Sequence, residues 1–189
     1  MSMKENTQKK SAIVMLIGLV FAMAGDIVLN IFFVGGAALF AIGHIFYFVA
    51  YCFATRFKIR DLIVAAIIFV PSLSTILLVP IFDFGGAFMQ IVCAIYALII
   101  SCMLGKAISD LITNKNIFSI IVAIGSFLFF FSDLMLLFDV FASVEAWAGA
   151  LCLATYYPAQ CLLAYSVKVI NKPKQTQEKI EEEKVEKAK

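Results

Sequence analysis

The chain has 189 residues, 63% of them apolar and 15% charged, with a mean hydropathy of +1.00 and a net charge of +2. Soluble domains are only about half apolar, so this composition excludes an ordinary water-soluble globule and points to a membrane protein. A spanning helix needs about 20 mostly apolar residues, which leaves room for a single membrane domain, with membrane lipids as the surroundings and no nucleic acid expected as a partner.

Six apolar stretches follow one another, at residues 12–29, 34–55, 62–81, 87–104, 117–138 and 146–167. They predict an all-α, polytopic helix bundle with about six transmembrane helices. Its parts are an N-terminal arm (1–11), a membrane-embedded domain (12–168) and a charged tail (169–189).

The breaks set the orientation. Lys4, Lys9 and Lys10 precede the first stretch; Arg56, Lys58 and Arg60 follow the second; Lys106 and Lys115 follow the fourth; Lys168, Lys172 and Lys174 open the tail. The breaks near Asn30, near Asp83 and over 139–145 hold no Lys or Arg. With six helices all 15 basic residues fall on one side, which the positive-inside rule makes cytoplasmic, both termini included. The expected location is the cell (plasma) membrane. Lysines, an apolar run and Ala22-Met23-Ala24 also fit a cleavable signal peptide. The run continues apolar through Ile27, Val28 and Leu29, which favours a retained first helix. The tail pairs Glu183 with Lys187 at helical spacing, and its composition predicts a solvated, largely disordered end. The five cysteines (Cys52, Cys93, Cys102, Cys152, Cys161) all lie in apolar runs without a C-x-x-C pair and read as packing residues.

Asp26 and Asp133 are read as the two carboxylates well inside the apolar runs. A charge at mid-membrane costs at least about 2.5 kcal/mol, so such groups face a polar interior and mark function, or serve as neutral, hydrogen-bonded structural residues. Each lies near the outer end of an outward-running helix, roughly 5–8 Å from the boundary at the helical rise. His44, the one histidine, shares a helix face with Tyr47 and Tyr51, and Tyr156 shares one with Gln160. A single histidine cannot make a three-histidine zinc site, and no metal or other cofactor is expected. Pro158 and Pro71 each free a carbonyl within a helix. Gly25-Asp26-Ile27-x-Leu29 and Ser132-Asp133-Leu134-x-Leu136 echo one another, suggesting a duplicated helix pair.

Four segments in order, Gly25-Asp26-Ile27-Val28-Leu29, Gly43-His44-Ile45-Phe46-Tyr47, Phe131-Ser132-Asp133-Leu134 and Tyr156-Tyr157-Pro158-Ala159-Gln160, resemble the lysoplasmalogenase (YhhN-like) family of multi-pass membrane proteins. The resemblance covers residues 12–168 and implies a family fold of about eight helices, the first two lacking here. It implies hydrolysis of the vinyl-ether bond of lysoplasmalogens to a fatty aldehyde and a glycerophospho-headgroup, with a lysophospholipid as substrate. Vinyl-ether hydrolysis needs a protonated carboxylic acid and a second group that stabilises the cation and activates water, the problem glycosidases solve with two carboxylates in unlike environments. Asp26 and Asp133 meet that need, and by matching position His44, Tyr47, Ser132, Tyr156 and Gln160 line the site. A small proton-coupled transporter and a non-catalytic lipid-binding protein remain the alternatives.

Reporter fusions test the topology: those after Lys58 and Lys115 read cytoplasmic and one near Ser143 reads external, whereas a cytoplasmic signal near Ser143 rules out six crossings.

Overall fold

The computed structural model describes residues 3–142 and 147–187. Six helices follow in order: α1 (Met3–Leu29), α2 (Phe33–Ala54), α3 (Ile59–Leu78), α4 (Ala87–Asn114), α5 (Ile117–Phe141) and α6 (Trp147–Lys187), with no strand among the described residues. Five, α1 to α5, are long and apolar enough to cross a membrane. In α6, Thr155, Tyr156, Tyr157, Pro158 and Gln160 dilute the apolar stretch, yet the helix packs along α5 and α1 and carries Tyr156, Ala159 and Leu163 into the core. It also continues to Lys187 as helix, where the composition predicts a disordered end. Lys and Glu are good helix formers.

Helices form here because lipid offers backbone N–H and C=O groups no partner, so each must be satisfied within its own segment. Their packing makes a ring: α1 lies on α2, α2 on α4, α4 on α5, α5 on α6, and α6 returns to α1. Among the described residues α3 packs only on α4 and stands outside this ring. Small residues allow the closest approaches. A Cβ at Gly18 would meet the Gly43 carbonyl at 3.1 Å, and one at Gly105 would meet Ala65 Cα and N at 2.6 Å, so α1–α2 and α3–α4 touch backbone to backbone. Ala22, within the candidate cleavage site, is buried in the core.

The helix ends differ from the apolar runs in an informative way. α4 passes through Lys106 to Asn114, where Lys115 adopts φ 42° and its N–H bonds the Leu111 carbonyl. Lys106 therefore does not lie in a break. It is fully buried, with Nζ 3.3 Å from Asp61 Oδ2 and 2.7 Å from both Asp110 Oδ1 and Thr55 Oγ1. Arg60 Nε donates to Ser109 Oγ at 3.0 Å, and its Nη2 donates to the Ser109 carbonyl and to Thr113. Ser109 in turn donates to Asp61. Asp26 and Asp133 are thus not the only embedded carboxylates; Asp61 is buried at the basic end, and its place at the edge of an apolar run hides it in the sequence.

At the opposite end, the outer one by the positive-inside rule, the 79–86 loop is strapped to α5. Asp83 N–H donates to the Phe141 carbonyl at 2.7 Å, and Phe82 and Phe84 pack on Phe138 and Phe141 with ring centroids 5.0 and 4.9 Å apart. α5 consequently runs to Phe141, past the apolar run.

Removing one member of a buried ion cluster strands the others, at a cost of about 3–5 kcal/mol. Lys106→Met therefore lowers the thermal unfolding midpoint in detergent sharply; an unchanged midpoint excludes the cluster as a brace between α2, α3 and α4.

Candidate functional site

The outer half of the ring is filled by aromatic side chains around Phe129, which is fully buried on α5. Its ring makes edge contacts with His44 (centroids 4.6 Å apart), Tyr156 (5.3 Å), Tyr47 (6.3 Å) and Phe40 (6.3 Å). These residues come from α2, α5 and α6, and together they shape the surroundings of both aspartates.

Each aspartate receives a hydrogen bond from a tyrosine on a neighbouring helix. Tyr156 Oη donates to Asp26 Oδ2 at 2.7 Å, joining α6 to α1. Tyr96 Oη donates to Asp133 Oδ2, also at 2.7 Å, joining α4 to α5. Both tyrosines stand nine residues after the first residue of their helices, so they enter the bundle at the same level from the same end.

The surroundings of the two acids diverge beyond that. Asp26 is half-buried and ends a chain of donors: Tyr47 Oη to Gln160 Oε1 (3.3 Å), Gln160 Nε2 to Tyr156 Oη (2.8 Å), and Tyr156 to the carboxylate. Asp133 has a side chain 11% exposed, with His44 Nε2 3.8 Å from its Oδ2. His44 itself is 1% exposed, stacks edge-on to Tyr96 (5.6 Å), and among the described residues has no hydrogen-bond partner at either ring nitrogen. A buried imidazole left short of partners is costly and suits a small polar group arriving beside it.

Next to Asp133 lies a cavity of about 90 Å³ between α2, α3, α4 and α5. Phe33, Phe40, Ile76, Ile100, Leu137 and Phe141 supply much of its apolar wall, with Tyr96, Asp133 and Ser72 among its polar residues. Asp26 does not line it.

Of the residues singled out from the sequence, Asp26, Tyr156, Gln160 and Tyr47 form one connected network, while Asp133 and His44 form a second. No hydrogen bond or ion pair joins Asp26 to Asp133 among the described residues; a run of ring contacts through Tyr156, Phe129 and His44 separates them. Asp133 is eight residues from the end of α5 and Asp26 three from the end of α1, or about 12 and 4.5 Å of helix. Ser132 turns away from the cavity towards α6, its Oγ 3.4 Å from Cys152 Sγ. Tyr51, on the polar face of α2, pairs with Ser126 at 2.9 Å. Tyr96 is the residue that sequence reasoning misses. A lone tyrosine in a long apolar run carries little signal, although its depth matches that of Tyr156. Among the described residues no three His, Cys, Asp or Glu side chains come together as a metal ion would require.

Residues 1–167 match the YhhN family. The chain belongs to that family. It is 30% identical over 164 residues to the lysoplasmalogenase TMEM86A of Bos taurus, a match that covers 82% of this chain and 65% of the relative. The chain thus spans a little under two thirds of the length of that protein. No solved structure is a significant match. The family membership agrees with the resemblance drawn from the four short segments.

Tyr96→Phe and Tyr156→Phe each leave a carboxyl group one partner short, which costs about 1–3 kcal/mol. Thermal unfolding in detergent reads both as destabilised, while Tyr157→Phe, at a side chain 61% exposed, leaves the midpoint unchanged.

Proposed function

We propose that this protein hydrolyses the vinyl-ether bond of lysoplasmalogens in the cell membrane, using Asp26 and Asp133 without a metal or cofactor. The observation that carries the proposal is the family membership combined with two tyrosine-bonded carboxylates, one of which, Asp133, lines an apolar cavity. The chemistry balances with those groups. A carboxylic acid protonates the β-carbon of the C=C–O unit, and the adjacent carbon becomes an oxocarbenium ion. Water adds to that carbon and gives its proton back to a protein base. The resulting hemiacetal collapses: its O–H proton passes to the protein base as the C=O forms, the C–O bond to glycerol breaks, and the departing oxygen takes up a proton from the acid, releasing fatty aldehyde and the glycerophospho-alcohol. A neighbouring carboxylate stabilises the cation electrostatically, and such preorganised charge contributes most where water is excluded. His44, Tyr47, Tyr156 and Gln160 orient water and the linkage; Ser132 supports the α5–α6 contact from the side.

A proton-coupled transporter finds support in one observation: His44, Tyr47, Tyr51 and Thr55 form a polar stripe along α2 from the Asp133 level to Lys106. Its side-chain hydrogen bonds leave for other helices, however, Tyr47 to Gln160 and Tyr51 to Ser126, so among the described residues none links Tyr47 to Tyr51 and on towards Lys106.

Purified protein incubated with a lysoplasmalogen releases aldehyde, and a chelator leaves the rate unchanged; a chelator-sensitive rate restored by zinc replaces this mechanism with a metal one. Asp26→Asn and Asp133→Asn each lower turnover by about 10²–10⁴, and the double variant is little worse than either, as expected of groups acting together. Asp83→Asn and Asp139→Asn stay active. Near-normal turnover in both single variants makes the two aspartates structural.

A further inference from the structure

The cavity lies in the outer half of the bundle. It draws on the first turns of α2 (Phe33, Ala37), the first half of α4 (Cys93, Tyr96) and the last two turns of α5 (Leu137, Phe141), with Ser72 and Ile76 from α3. Because α3 packs on α4 alone, the cavity occupies the space between α3 and the facing surfaces of α2 and α5, and that space faces lipid. Pro71 stands just before Ser72, removing the N–H that would bond the Ile67 carbonyl and loosening α3 at the cavity wall. The hydroxyl of Ser72 is turned onto the Ile68 carbonyl at 2.9 Å, so α3 presents an apolar side. Polar chemistry centres on Asp133, its Oδ2 held by Tyr96, with the His44 ring, which among the described residues has no hydrogen-bond partner, 3.8 Å away.

We infer that this cavity receives the ether-linked end of a single lipid hydrocarbon chain from the bilayer, placing the linkage at Asp133, so that Asp133 is the acid that touches the substrate and Asp26 is a positioning residue acting from behind Tyr156. The catalytic half of this inference rests on the proposed hydrolysis; the binding half stands without it. Size sets a further condition. A cavity of 150 Å³ holds one benzene, so one of about 90 Å³ takes roughly the first four carbons by that scale. The rest of the chain lies between α3 and its neighbours, in lipid. Recognition is therefore of the linkage and its first carbons, and chain length beyond them has little influence. In the reaction the Asp133 proton moves to the β-carbon; water held at a His44 nitrogen adds to the cationic carbon, and its proton passes through the imidazole to Asp133, restoring both groups.

The test uses a saturated 1-O-alkyl lysophospholipid, which has no vinyl bond to cleave, carrying a diazirine close to the ether. After irradiation of the full-length protein in detergent, mass spectrometry is expected to find the label on the peptides holding Ser72, Ile76 and Cys93. Ala97→Leu and Ala37→Leu, which fill the cavity from two helices, are expected to cut labelling at least several-fold, and either one purified with an unchanged midpoint suffices. Asp133→Asn keeps the label while losing turnover. Label on α1 and α6 around Asp26, or spread evenly over lipid-facing side chains such as Ile95 and Leu98, overturns the inference. Label in the cavity without aldehyde release from wild type sinks the hydrolase reading and keeps the chain site; release of aldehyde with label elsewhere does the reverse. Formate added to Asp133→Ala restores turnover if that side chain is the acid, and restoration in Asp26→Ala instead reverses the assignment.

Discussion

A carboxyl group inside a bilayer has no water to hydrogen-bond, so the protein must bring it a donor, and two helix contacts in this bundle are built around doing so. Tyr156 meets Asp26 where α6 closes the ring onto α1. Tyr96 meets Asp133 where α4 lies on α5. Van der Waals contact alone discriminates poorly between helix pairings in lipid, whose tails are as apolar as the side chains. Polar pairs of this kind therefore choose which helices are neighbours, and the aromatic cluster around Phe129 then fills the interior that those neighbours enclose. The acids proposed for the chemistry are also part of what determines the fold.

The two ends of the bundle handle buried charge differently. At the basic end Lys106, Arg60, Asp61 and Asp110 neutralise one another, and Ser109, Thr55 and Thr113 take up further donors and acceptors. Such a compensated cluster stiffens the contact of α3 with α4 and offers a ligand little. Towards the other end His44 has no hydrogen-bond partner among the described residues, and Asp133, 3.8 Å from it, lines a cavity. Incomplete satisfaction of buried polar groups is rare in proteins; among the described residues it occurs at the His44 ring, within a segment that carries the family resemblance, and at the hydroxyls of Ser101 and Ser119.

Hydropathy makes the helices legible, since a run of about 18 or more apolar residues seldom forms anything but a membrane span, and the alternation of lysines with bare breaks makes the sidedness legible. Helix ends are less so. Lys106 looks like the start of a loop when only its charge is considered, because its partners Asp61 and Asp110 reach it through the tertiary fold. Asp26, Asp133 and His44 stand out as polar residues in apolar surroundings. Tyr96 does not, since a tyrosine in an apolar run is unremarkable until the residue opposite it is known. Depth comparison along the sequence suggests that the two acids form one pair. The structure instead gives each its own tyrosine, because sequence position measures height along a helix and says nothing of which way round the ring a side chain points.

The hydrogen bond between Asp26 and Tyr156 spans 130 residues of chain, which has a consequence for biosynthesis. At ribosomal speeds of about 5–20 residues per second, α1 enters the membrane roughly ten seconds before α6 is made. Throughout that interval Asp26 must be tolerated without the tyrosine that later holds it, and the α1–α2 hairpin, locked by Gly18 against Gly43, is the element able to shelter it. The ring closes only when α6 arrives. A nascent chain therefore carries neither the finished donor chain to Asp26 nor the enclosed aromatic interior, and the complete site comes into being only once α6 has been made.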